Sequence, residues 1–176
     1  TKLVYHDTRK FGVLLLSDEQ NYLKEKCLAK LGPEPMILRD QNLRKPIYKK
    51  LNTNKKVKEL LLDQTIMAGI GNIYADEICF MSNLHPKQDI YYLKDSDYEQ
   101  IANSSVEVIN KAIKAGGTTI RSYTSSLGVT GLFQLELNVH TMVGKPCPRC
   151  GTTIIKTRVA GRGTYICEKC QKIKVF

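Results

Sequence analysis

The stretch DQTIMAGIGNIYADE, residues 63–77, sets two glycines, Gly69 and Gly71, directly before a run that reads as a helix from Gly71 or Asn72 to Met81. A shorter helical run, Lys55 to Leu62, precedes it, and the segment Asp63 to Ile70 between them has no periodicity, so the order is helix, double turn, helix. Helix amino ends carry unpaired N–H groups and the positive end of a dipole, and glycine lets a ligand come close to the backbone. With Asn72 as an added side-chain donor, the combination suits a phosphate. It is not a dinucleotide fingerprint, because a third glycine is missing and the run follows a helix instead of a strand. Glycines also serve a tight turn between two helices, and the local sequence leaves both readings open.

Downstream, four of the six cysteines fall in two pairs, Cys147 with Cys150 and Cys167 with Cys170, separated by sixteen residues. Each pair can present two sulfurs to one tetrahedral ion, and the connecting stretch has the length of a β-hairpin, with strands expected at Thr153 to Thr157 and Thr164 to Ile166. Four thiolates leave no open coordination position, so the expected occupant is one structural zinc ion. The ion would replace the core that so short a module lacks. Cys27 and Cys79 stand alone and read as small buried apolar residues. His6, His85 and His140 have no second ligand at metal spacing.

The 176 residues carry 27 Lys and Arg against 17 Asp and Glu, a net charge of +10, with 42% hydrophobic residues. This composition is that of a globular protein and excludes fibrous, disordered and disulfide-miniprotein classes. The charge is uneven: residues 39–60 carry eight basic against two acidic side chains, residues 61–140 five against nine, and residues 141–176 eight against one. Two basic blocks around an acidic middle are the footprint of a polyanion binder, although a merely solvated basic surface has the same composition. With four thiolates and one zinc ion contributing −2, the last block keeps about +5. The longest apolar runs, Val13 to Leu16 among them, are far short of the roughly 18 residues of a membrane span, and no leader pattern is visible. The expectation is a cytoplasmic, nucleoid-associated protein without membrane contact.

Elsewhere, residues 3–5 and 11–16 read as strands joined by a polar turn, but two strands make a poor sheet, so these residues are expected to belong with further strands. A helix capped by Ser17 or Asp18 is expected to run to Lys30, and Gly32 to Pro35 reads as a linker. A short helix is expected near Leu43 to Leu51. The longest helix is expected from an Asp95 or Ser96 cap to a Gly116-Gly117 stop, with Ile101, Val108, Ile109, Ala112 and Ile113 apolar. Residues 121–134 read as a loop.

The Gly69-Ile70-Gly71-Asn72-Ile73-Tyr74-Ala75 turn, the HDTRKFG stretch from His6 to Gly12, LGPEP from Leu31, GGTT from Gly116 and the four-cysteine finger together resemble the bacterial formamidopyrimidine-DNA glycosylases over nearly the whole chain. The resemblance implies a mainly α fold with small β parts. Residues 1–35 would be the end of a β-sandwich catalytic domain with a linker, 36–139 a helix-two-turn-helix domain, and 140–176 the zinc finger. It implies a repair enzyme that removes oxidised purines, 8-oxoguanine and formamidopyrimidine, from duplex DNA and nicks the abasic strand by β,δ-elimination. Such an enzyme must flip the damaged base and fill the gap.

By resemblance, Phe11 wedges beside the orphaned base, Arg9 pairs with it and Lys10 contacts a phosphate. Lys58 and Asn72 grip the phosphates around the lesion, and Tyr74 lies on the same helix start. Arg162 reaches the lesion phosphate and donates the proton in the final elimination, although a guanidinium, which rarely gives up a proton, suits the phosphate contact better. The zinc ligands are Cys147, Cys150, Cys167 and Cys170. A lesion-capping loop maps to about 122–133, with Val129 where some relatives carry a basic residue. The family's nucleophile is an amino-terminal proline, next to a glutamate, on a sandwich that these residues do not contain. This chain alone is therefore expected to bind DNA as a monomer without cutting it, and Thr1 is not expected to substitute. Two other readings are an endonuclease VIII-type enzyme for oxidised pyrimidines and a non-catalytic zinc-ribbon DNA-binding module.

Overall fold

The computed structural model describes residues 5, 10, 12–40, 54–117 and 136–174, in two compact units, Thr1–Lys30 and Leu31–Phe176. The expected helix at 43–51 and loop at 121–134 lie outside the described residues, as do residues 3, 4 and 11 of the expected strands.

In the first unit, the described residues of the 11–16 strand form no strand, and Val13, Leu14, Leu15 and Leu16 are exposed. A strand needs a ladder partner, and the described residues of the unit supply none. The helix expected from Ser17 to Lys30 is reduced to a 3₁₀ turn, Tyr22–Lys24. No residue from 12 to 30 is buried, and a short helix that buries no face is marginal in water. Asp18 still caps locally: its Oδ1 accepts the amides of Gln20 (3.0 Å) and Asn21 (2.8 Å). Chiefly through the Asn21 side chain, these bonds hold its carboxyl below the usual carboxylate range. Cys27, expected to be buried, is exposed for the same reason.

The second unit contains a 3₁₀ turn, Pro35–Arg39, then α1 (Val57–Leu62), α2 (Asn72–Met81), a 3₁₀ turn at Ile90–Tyr92, α3 (Asp95–Lys114) and the antiparallel hairpin β1 (Ile155–Val159) and β2 (Arg162–Ile166). Its main core joins Leu38, Val57, Leu60, Leu61, Ile70, Ile78, Ile101 and Val108. At six residues α1 is too short to persist alone, and burial of Val57, Leu60 and Leu61 holds it.

On α3, Ile101, Ala102, Ser105, Val108 and Ala112 recur at helical spacing and face the core, while Ile113 is 66% exposed and lies on the solvent side. Its cap is Lys94, one residue before the expected Asp95, because buried Asp97 reaches back to accept the Lys94 N–H (3.0 Å) and is neutralised by Lys174. The expected Gly116-Gly117 stop is present: both have positive φ, and their amides donate to Ile113 (3.0 Å) and Ala112 (2.8 Å). Among the described residues no helix is long and apolar enough to cross a membrane.

The Gly32 to Pro35 stretch, expected to be a linker, is docked. The Gly32 amide donates to the Gln64 carbonyl (2.8 Å) and the Ala68 amide to the Pro33 carbonyl (3.0 Å), so the segment braces the double turn. Both partners sit more than thirty residues downstream, and turn composition alone carries no sign of such pairing. A Cβ at Gly32 would lie 2.6 Å from the backbone carbon and oxygen of Ile66. Gly32→Ala is therefore expected to destabilise the protein by about 1–3 kcal/mol, as backbone overpacking does, measurable as a lower urea midpoint at unchanged slope.

Candidate nucleic-acid interface

The double turn is built from polar side chains that stand in for absent backbone bonds. Asp63 closes α1: its carboxylate takes the Lys55 ammonium and accepts the Thr65 amide (3.0 Å) and hydroxyl (2.6 Å). The Lys55 contact leads in holding its carboxyl low. Gln64 spans the turn, accepting the Gly69 amide (2.9 Å) and donating to the Ile70 carbonyl (2.8 Å). Met67 and Ile70 anchor it in the core.

The two glycines then separate by conformation. Gly69 has φ +87°, which demands glycine. Gly71, the amino cap of α2, has φ −98° and ψ −174°, which any residue adopts, and a Cβ there would meet nothing within 4 Å. A tight turn explains Gly69 and leaves Gly71 unexplained. The missing side chain keeps the amino end of α2 open.

Beside that opening lies the finger. Gly163, next to Arg162 on β2, has its carbonyl held by two donors from the helical body, Asn72 Nδ2 (3.1 Å) and Lys58 Nζ (3.2 Å). Asn72 therefore directs its donor to the finger, and its Oδ1 is buried without a partner among the described residues. Lys58 lies inside the protein, with its side chain and that of Asp76 wholly buried and 2.6 Å apart, and it also donates to Thr164 Oγ1 (2.8 Å). Tyr74 is half-buried against the main core. Arg162 is exposed at the first position of β2, just after Ala160 (φ +51°) and Gly161 (φ +71°), whose left-handed pair makes a two-residue hairpin turn. Lys10 is exposed in the first unit, with φ +57°, while Arg9 and Phe11 lie outside the described residues.

Sequence reasoning missed three residues that hold this corner together. Glu77, 1% exposed, accepts four N–H groups at 2.9 Å: the amide and side chain of Asn138 on Oε2, and the amides of Val139 and His140 on Oε1. Asp76 Oδ2 meets His140 Nδ1 at 2.7 Å. The available signal was two adjacent acids inside the otherwise apolar run Ala75 to Phe80, all six of which are buried.

The cysteine sulfurs converge: Cys147 and Cys170 are 3.8 Å apart, Cys150 and Cys167 3.5 Å, and all four lie within 4.8 Å of one another. Four sulfurs placed tetrahedrally at about 2.3 Å from zinc stand roughly 3.8 Å apart, so the site fits one structural zinc ion. Hydrogen bonds from the Thr152 side chain and amide lower Cys150 to about 6, favouring the thiolate that binds metal. Arg149, between two of the ligands, stacks 4.1 Å over the Phe80 ring and donates to the Phe80 carbonyl (2.9 Å), tying the metal knuckle to the carboxyl end of α2.

A helix, double turn and helix body joined through buried polar contacts to a four-cysteine hairpin defines a helix-two-turn-helix protein with a zinc finger. Residues 31–124 match the model of the formamidopyrimidine-DNA glycosylase H2TH domain, and residues 144–173 that of the zinc finger found in FPG and IleRS. The chain belongs to the formamidopyrimidine-DNA glycosylase family.

It is 41% identical over 180 residues to the formamidopyrimidine-DNA glycosylase of Enterococcus faecalis, matching 99% of this chain and 62% of the relative. It is similar to the solved MutM (Fpg) protein of Thermus thermophilus, with TM-score 0.86, 36% identity, 97% of this chain and 64% of that one. It is also similar to a Lactococcus lactis FPG mutant in complex with DNA containing Fapy-dG, with TM-score 0.78, 41% identity, 88% of this chain and 56% of that one. The chain thus spans less than two thirds of the length of these relatives. Neither the endonuclease VIII-type reading nor the plain zinc-ribbon module is favoured by these matches.

Proposed function

We propose that this chain is the DNA-gripping part of a glycosylase and abasic-site lyase that removes oxidised purines, formamidopyrimidine and 8-oxoguanine, from duplex DNA. The observation that carries the reading is Gly71: a position whose backbone does not need glycine, at an open helix amino end, beside an exposed arginine of a basic finger. Amide N–H groups at such an end donate to a phosphate, and a guanidinium can clamp it from the other side. Kinship with a protein solved on Fapy-dG DNA supports the substrate class.

In this reading Arg162 contacts the lesion phosphate and, as part of the whole enzyme, assists the final elimination. Lys58 and Asn72 shape the corner through Gly163, and Tyr74 seats the helix start. Phe11 and Arg9 fill the gap left by the flipped base, and Lys10 contacts a phosphate. Residues 1–35 are the sandwich end followed by the Gly32 to Pro35 segment that braces the double turn, 36–139 the helical domain and 140–176 the finger. The protein works as a monomer at the bacterial nucleoid. Taken by themselves, these 176 residues bind DNA without cutting it. A borohydride-trapped adduct with abasic DNA would overturn that last point.

The test is a competition titration of the zinc-loaded chain at fixed salt, between an undamaged duplex and one carrying a single abasic analogue. Preference for the abasic duplex is expected. Gly71→Ala should keep stability within about 1 kcal/mol, its backbone being compatible with alanine, and weaken binding about tenfold by obstructing the phosphate. Unchanged binding by Gly71→Ala would remove the main support for the reading.

A further inference from the structure

The four clustered cysteines that would hold zinc lie at the base of the hairpin, where Cys167 follows Ile166, whereas Arg162 sits at its tip. At about 3.3 Å per residue the tip lies more than about 10 Å along β2 from that cluster. A lone two-stranded hairpin is marginally stable and free to twist, so the metal by itself does not fix where Arg162 points. Something at the tip must.

Asp76 is placed to do so. It lies one helical turn after Asn72, and both its oxygens lead to β2. Oδ1 holds the Lys58 ammonium at 2.6 Å, and the other two ammonium donors go to the Gly163 carbonyl (3.2 Å) and the Thr164 hydroxyl (2.8 Å). Oδ2 holds His140 Nδ1 at 2.7 Å, and the His140 ring packs edge-on against Tyr165 with centroids 4.8 Å apart. Three consecutive residues of β2, immediately after Arg162, are thereby fastened to one buried carboxylate. A buried ion pair is a weak device for stability alone, because desolvation offsets most of its attraction and apolar side chains of similar volume do as well. Its directional hydrogen bonds do what apolar packing cannot, which is to set the hairpin tip at one register against the amino end of α2.

We propose that Asp76 is a positioning residue for the phosphate clamp, acting through Lys58 and His140 to hold the Arg162 turn over the amino end of α2. This rests on the DNA reading above. The test is the zinc-loaded double variant Lys58→Met with Asp76→Leu, which replaces the pair by apolar side chains. Its affinity for the abasic-analogue duplex should fall about tenfold and its salt slope by about one phosphate contact, with one zinc still bound and the Gly163 amide resonance shifted or broadened.

Should the double variant not fold, Thr164→Val serves. It removes one Lys58 acceptor on β2 and leaves the ion pair, and a loss of about threefold with a reduced salt slope is expected. A folded variant with wild-type affinity and slope overturns the proposal. The DNA reading is tested separately by Arg162→Ala and Gly71→Ala: if these bind like wild type, that reading fails. If they weaken binding while Thr164→Val or the double variant does not, only the role of Asp76 fails.

Discussion

Glu77→Ala is expected to destabilise the protein by about 3–5 kcal/mol, because it strands buried N–H donors that cost roughly 1–3 kcal/mol each when unpaired. All four donors that the carboxylate accepts come from Asn138, Val139 and His140, the segment that leads into the finger. Water entering the vacated space would recover part of the loss, so the total stays below the sum of four bonds. Set against a whole-domain stability of about 5–15 kcal/mol, this is enough to populate unfolded chain at room temperature. Glu77→Gln keeps the shape but turns an NH2 group toward one set of donors, and about half the effect is expected. Urea unfolding of the zinc-loaded variants checks both, and an alanine variant within about 1 kcal/mol of wild type would show that the segment is held by something else.

Removing zinc is expected to unfold the finger and lower DNA affinity at least about a hundredfold, while the helical signal largely survives. The finger's own core joins Phe80, Val139, Cys147, Ile154 and Cys167, two of which are metal ligands. So small a core cannot hold a fold, and metal-binding free energy becomes folding free energy. In the proposed DNA reading, losing the hairpin takes Arg162 and the basic module away from the duplex, and several phosphate contacts go together. The helices keep the separate cluster around Leu60, Ile78 and Ile101. Chelation followed by far-ultraviolet circular dichroism and fluorescence anisotropy with labelled duplex reads both effects, and added zinc should restore binding. Cys167→Ser should behave like the chelated protein. Retained affinity after complete metal removal would place the grip in the helical body alone.

Much of this was legible in the chain. The paired cysteines predict the finger because ligand spacing is a local property, and the sulfurs do converge. The double turn and its following helix were legible because Gly69, Gly71 and the polar Asp63 and Gln64 act within a few residues of themselves. The amino-terminal strand and helix failed as predictions for the opposite reason. Val13 to Leu16 and the Ser17 to Lys30 run have the right composition, but regular structure there needs a buried face, and no residue from 12 to 30 is buried. The Gly32 to Pro35 stretch failed because its partners are distant in sequence.

Residue spacing and composition alone mark the four clustering cysteines, the helix boundaries at Gly71 and at Gly116 with Gly117, the basic finger and the family. Tertiary structure alone decided where the charged residues go. Lys58, expected at a phosphate, is buried against Asp76, eighteen residues on, and reaches Thr164, 106 residues on. His140 finds Asp76 across 64 residues. Spacing and backbone preference are written locally and can be read locally. A buried charge must find its partner wherever the fold brings one within hydrogen-bond distance, because leaving it unpaired costs more than any local preference can supply.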